Sequence, residues 1–76
     1  MTDKQAYIYR IIDAWWKKHG FAPSIDDIMD ITGDKGRGNV HRTMKRLVEM
    51  GYCKMTPNRA RSIRPSYLKV HKLEIE

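Results

Sequence analysis

Gly20, Gly33 and Gly51 each stand just beyond a run of apolar residues spaced three, four or seven apart, a punctuation that leaves the chain little to build except three helices. In the first run Ile8, Ile11, Ile12 and Trp15 share one stripe, Trp16 is left outside it and is expected to pack against the tail or wing, and Lys17, Lys18 and His19 suit the negative helix end. Phe21-Ala22-Pro23 predicts a short extended link, because the proline ring pushes its predecessor out of the helical region. Ser24 predicts an N-cap, with Asp27 three residues on as the acidic member of a capping box and Asp26 as a second charge at the positive end. Ile25, Ile28 and Met29, completed by Ile31 or Thr32, form the inner face of this short second helix. After Gly33-Asp34-Lys35-Gly36 the period resumes through Val40, Met44, Leu47 and Val48, predicting a third helix over residues 37–50.

Beyond Gly51 the pattern changes. Residues 52–56 read as a strand, Pro57-Asn58-Arg59-Ala60 as a loop, and residues 61–64 as the returning strand before Pro65. Three helices and a small β-hairpin make a mainly α chain, and a short second helix joined to the third by a tight turn makes it a winged helix-turn-helix. Residues 1–65 form that domain; residues 66–76 form a C-terminal tail that is either an extra strand or disordered. Chains of 76 residues bury only about 60% of their unfolded surface, too little to divide between two cores.

Charge is distributed unevenly over these elements. Residues 35–64 carry nine Lys or Arg against the single Glu49, a balance of +8, while residues 1–34 carry four against six, a balance of −2. At roughly 100° per residue, the apolar arc of the third helix leaves Asn39, Arg42, Lys45 and Arg46 on its outer face. A basic helix beside a basic hairpin tip fits a duplex, whose phosphates lie one per roughly 1.7 Å of axis and release counterions to such a surface.

The residues also resemble a known family. Ile11-Ile12, the stretch Gly20 to Ile28, Thr32-Gly33, Leu47 with Gly51-Tyr52, and Arg61-Ser62-Ile63-Arg64 are similar to the DNA-binding domain of LexA-type repressors over about residues 8–64. The resemblance implies sequence-specific binding of double-stranded DNA, with base contacts from the start of the third helix and backbone contacts from the wing over residues 52–64. The family typically adds a self-cleaving, dimerising C-terminal domain; this chain ends before one could begin, so cleavage-driven derepression is not expected. The segment Gly36-Arg37-Gly38-Asn39-Val40-His41-Arg42 departs from the family's usual recognition-helix start, and a different target sequence is expected.

Residue types divide the contacts. Asn39 pairs bidentately with adenine and Arg42 with guanine, whereas a solvated helix face is the plainer reading of the same run. Arg37 reaches a base or a phosphate. His41, on the border of the apolar arc, suits a packed place or a DNA contact equally. Lys35, Lys45, Arg46, Arg59 and Arg61 are assigned to the DNA backbone, with a solvated hairpin tip as the alternative for the last two. Gly36 and Gly38 let the helix start approach a phosphate, though each weakens the helix by up to about 1 kcal/mol.

Other chemistry finds little support. Asp26 and Asp27 resemble a catalytic carboxylate pair, but capping explains them, and no base, nucleotide loop or cofactor motif accompanies them. The histidines at 19, 41 and 71 lack zinc spacing, and the lone Cys53 reads as a buried strand residue. No stretch approaches the ~18 apolar residues of a membrane span, and the start lacks the pattern of a signal peptide, so a reducing cytoplasm is expected. The leading expectation is a transcription regulator, most simply a repressor, of a bacterium or phage. The rival is a winged-helix protein-interaction module, such as a phage-encoded inhibitor or adaptor, that uses Trp16 or the tail. For the regulator, Leu68, Val70, Leu73 and Ile75 suggest a tail that pairs two chains on a palindromic site.

Overall fold

In the computed structural model, which describes residues 1–68, α1 spans Asp3–His19, α2 Ile25–Thr32 and α3 Arg37–Glu49, followed by β1, Cys53–Lys54, and β2, Arg64–Pro65. Each helix is bounded by a local device. Thr2 closes a capping box with Gln5 at the start of α1, and Ser24 closes one with Asp27 at the start of α2. Gly33 takes the left-handed backbone (φ 78°) that ends α2 and reverses the chain toward α3, a conformation costly for a residue bearing a Cβ. The turn is then tied down: the Asp34 amide donates to Thr32 Oγ1 at 3.1 Å, and Lys4 on α1 holds the Asp34 carboxylate at 3.3 Å.

One core joins all the elements. Ile8, Ile11 and Ile12 of α1, Ile28 of α2, and Val40, Met44 and Leu47 of α3 are buried together with Cys53 and Ile63 of the hairpin. Burial in this apolar setting pushes the Cys53 thiol up to about 12, which leaves it a small hydrophobe rather than a nucleophile. On α2, Ile25 and Met29 pack against the core beside Ile28, while Ile31 stays exposed.

Trp16 takes its expected place against the wing, and it is Trp15 that departs from the stripe. Trp16 packs against the core and its indole N–H donates to the Ile63 carbonyl at 2.8 Å, whereas Trp15 lies among His19 and Phe21 with its N–H unpartnered. Helical spacing alone puts Trp15 in the stripe. What it omits is the returning wing, which covers the flank of α1 on which Trp16 stands.

The hairpin is shorter than the sequence pattern suggests. Its antiparallel ladder pairs Lys54 with Arg64 and Cys53 with Pro65, and the Ser66 amide prolongs it by donating to the Tyr52 carbonyl at 2.9 Å. Residues 55–63 therefore form a long wing loop rather than two flanking strands. Buried Ser62 closes that loop: its hydroxyl accepts from the Thr56 amide at 3.1 Å, and its proton is within reach of the carbonyls of Thr56 (3.1 Å) and Arg59 (2.9 Å). The first tail residues are attached to the body, Ser66 through the Gly51 carbonyl and Tyr67 through Asp13. The expected pairing role of Val70, Leu73 and Ile75 lies outside the described residues.

Candidate nucleic-acid interface

The outer side of α3 and the wing loop face each other across a groove of about 380 Å³, whose walls include Asp26, Arg37, His41, Arg59 and Arg61. A second concavity of about 390 Å³ continues along α3 past His41 and Lys45 to Pro57 and Asn58. With Val40, Met44 and Leu47 buried, every charged residue of α3 is left outward: Arg37, His41 and Lys45 line the concavities that face the wing, whereas Arg42 and Arg46 line another beside Gln5 of α1. His41 is exposed, which resolves its two sequence readings in favour of the solvent side.

The start of α3 has no side-chain cap. Asn39 and Val40 return their amides to the Gly36 carbonyl at 3.2 and 3.3 Å, and the amides of Arg37 and Gly38, the first two of the helix, have no such partner among the described residues. Gly36 has a packing reason as well. A Cβ there would stand 3.2 Å from Asn39 Nδ2, so its absence makes room for the Asn39 amide to lean back over the helix start. Gly38 is open, with nothing within 4 Å of where a Cβ would sit.

The charged side chains differ in how much they are already engaged. Lys35, Lys45 and Arg59 make no ion pair among the described residues. Arg42 donates to Asn39 Oδ1 at 3.3 Å, joining the two residues expected to read bases, and Arg46 lies 3.3 Å from Glu49. Arg37 is bonded through NH1 to Asp26 on α2.

Arg61, expected at the DNA edge of the wing, lines the groove and is also bonded to the body of the domain. Its NH1 is 2.8 Å from Asp27 Oδ2 and 3.2 Å from the Ala22 carbonyl, and its guanidinium lies 5.4 Å from the centre of the Phe21 ring. Its backbone is left-handed (φ 54°), a conformation that costs a residue with a side chain roughly 1–2 kcal/mol, and these three contacts hold it there. Asn58 (φ 61°) makes the other left-handed turn of the wing loop, which asparagine tolerates better.

Three contributors escaped the sequence reading. Asp26 was legible only as a helix-end charge, Ser62 only as a strand residue, and Asn58 only as part of a loop. The acid-rich start of α2 does mark Asp26, but its partner becomes visible only when α2 and α3 are folded against each other. Among the described residues, no group of three His, Cys, Asp or Glu side chains is placed to hold a metal, and no helix is long and apolar enough to cross a membrane.

The LexA DNA binding domain family matches residues 1–62 of this chain. The LexA repressor of Rhodospirillum rubrum is 38% identical over 63 residues, which is 83% of this chain and 25% of that protein. The chain thus spans about a quarter of the length of that relative.

Proposed function

This chain belongs to the LexA DNA-binding domain family, and from that premise we propose that it is a cytoplasmic transcriptional repressor module whose α3 enters the major groove of duplex DNA. The observation that carries the reading is the face shared by α3 and the wing: Arg59 lines its groove beside Arg37, Lys45 lines the concavity that continues along α3, and both cations are unengaged, as is Lys35 in the turn before a helix start with free amides. In this reading Asn39, Arg42 and Arg37 read base edges, with His41 beside them on the groove wall. Lys35, Lys45, Arg46 and Arg59 serve phosphates, and Gly36 and Gly38 admit the backbone to the positive helix end. Arg61 acts on DNA indirectly, by fixing the wing.

A protein-binding role through Trp16 has less support, because its indole is held by Ile63 and packed on the core. Two copies on a palindromic site suit the repressor reading, since a module of this size covers only ~600–1,000 Å² of protein surface on DNA.

Salt dependence tests the proposal. Four phosphate contacts at about −0.9 each give a slope of about −3.6 for log affinity against log salt, whereas the charge count alone, with five or six contacts, suggests about −4.5 to −5.4. Duplex binding with a slope near zero, or no binding at low salt, would overturn it.

A further inference from the structure

We propose, resting on the DNA-binding reading above, that Asp26 is a specificity-determining residue: its carboxylate keeps hold of Arg37 on the duplex and aims the guanidinium at a guanine instead of releasing it to a phosphate.

The placement of charge makes Asp26 conspicuous. Among the described residues lining the groove between α3 and the wing, it carries the only carboxylate, beside Arg37, Arg59 and Arg61. An unpaired acid on a face that meets phosphates repels them, so it weakens binding unless it stays paired. Its neighbour Asp27 is already taken by the Ser24 amide and by Arg61, and Asp26 is bonded to Arg37 alone. The two adjacent carboxylates are thus divided, one fixing the wing and the other fixing the first residue of α3.

The form of the bond suits base reading. A guanidinium has five donors in a planar fork, and Asp26 engages it at NH1. Among the described residues nothing else binds Arg37, so its Nε–NH2 edge is whole, and two parallel donors are what guanine O6 and N7 accept. Charge points the same way: a guanidinium neutralised by a carboxylate releases little counterion at a phosphate. The support is also stiff, because Asp26 stands in the first turn of α2, which the Ser24–Asp27 capping box holds in place.

Selection of the whole chain from a pool of randomised duplexes, read by sequencing, tests this with the unmodified protein, Asp26→Asn, Asp26→Ala and Arg37→Ala. Asp26 is exposed and has no other bond, so its variants are expected to fold; thermal unfolding of each checks that. The unmodified protein is expected to prefer guanine at one position of its site by about 5- to 150-fold, the range of a bidentate pair. Asp26→Ala and Arg37→Ala flatten that position to within about 2-fold and leave the others alone, and Asp26→Asn weakens it. On random duplex, Asp26→Ala should steepen the salt slope by about 0.9, because the freed Arg37 takes a phosphate. A sequence profile unchanged by Asp26→Ala overturns the proposal while DNA binding stands. If the unmodified protein enriches no sequence and binds no duplex, the DNA-binding reading fails and the proposal fails with it.

Discussion

Arg61 and Asp27 join the wing to the start of α2: the guanidinium lies 2.8 Å from the same carboxylate oxygen that accepts the Ser24 amide at 3.0 Å. The wing loop therefore leans on a helix cap, although the two residues are 34 positions apart. Asp27 carries both tasks because an ionised carboxylate has several lone-pair sites and needs only one for the cap.

The two wing arginines are expected to behave differently. Arg59→Ala should lower the salt slope of duplex binding by about 0.9 with no change in thermal stability, as loss of one phosphate contact requires. Arg61→Ala should cost about 1 kcal/mol of stability and speed amide exchange in residues 57–60, because a partly exposed ion pair and a ring contact are lost. Thermal melts and hydrogen exchange of the two variants separate these roles; matching losses would show that Arg61 is no strut.

Acid should loosen the same joint. The Ser24 amide, and after it the Ser24 hydroxyl and Arg61, hold the Asp27 carboxyl below the usual carboxylate range against the opposing effect of burial. A depressed folded value means that the stabilisation is complete above the unfolded value of about 3.9 and is lost as pH falls through the folded one. Asp27→Asn is expected to melt below the unmodified protein at about pH 6–7, and the gap should narrow as pH falls below the unfolded value of about 3.9. A gap in melting temperature that stays constant with pH would contradict this. Asp13, lowered chiefly by the Tyr67 hydroxyl, titrates in the same direction and is unchanged between the two proteins.

At Gly38, stability and DNA affinity should move in opposite directions. A Cβ there meets nothing within 4 Å, and alanine in place of glycine inside a helix gains up to about 1 kcal/mol. If a phosphate approaches the free amide of this residue, the added methyl obstructs it. Gly38→Ala is expected to raise the melting temperature and weaken duplex binding severalfold. Equal or tighter binding would remove Gly38 from the interface.

The adjacent tryptophans provide a test inside the fold. Trp16→Phe leaves the buried Ile63 carbonyl without its indole donor and should cost about 1–3 kcal/mol, as loss of one partner of a buried hydrogen bond does. Trp15→Phe removes an N–H that is already unpartnered and should cost less. Chemical denaturation of both variants measures the difference; the reverse order would contradict the packing described above.

How much could be read beforehand depended on whether the signal was local. The three helices follow from spacing and from glycines that accept a left-handed backbone, and the Ser24–Asp27 box follows from two side chains three residues apart. The Thr2–Gln5 box is equally local, a threonine and a glutamine three residues apart. Trp16 packs against the wing, as expected of the tryptophan outside the stripe, whereas Trp15 leaves the stripe for His19 and Phe21, which one helix's spacing does not disclose. The hairpin itself was drawn too long because Ser62 closes its loop from a position that looks like a strand. The attachment of Arg61 belongs with these. Its side chain is bonded to the body of the domain from a left-handed backbone held by Asp27 and Ala22, and no spacing rule contains that.

The central claim, that α3 and the wing form the DNA-contacting face, is tested most directly by titrating a labelled sample with a duplex that it has enriched and following each backbone amide by NMR. Saturable shifts are expected to concentrate in residues 35–46 and 57–60, with the aromatic cluster of Trp15, His19 and Phe21 undisturbed. Shifts centred on that cluster, with residues 35–46 unmoved, would contradict the claim.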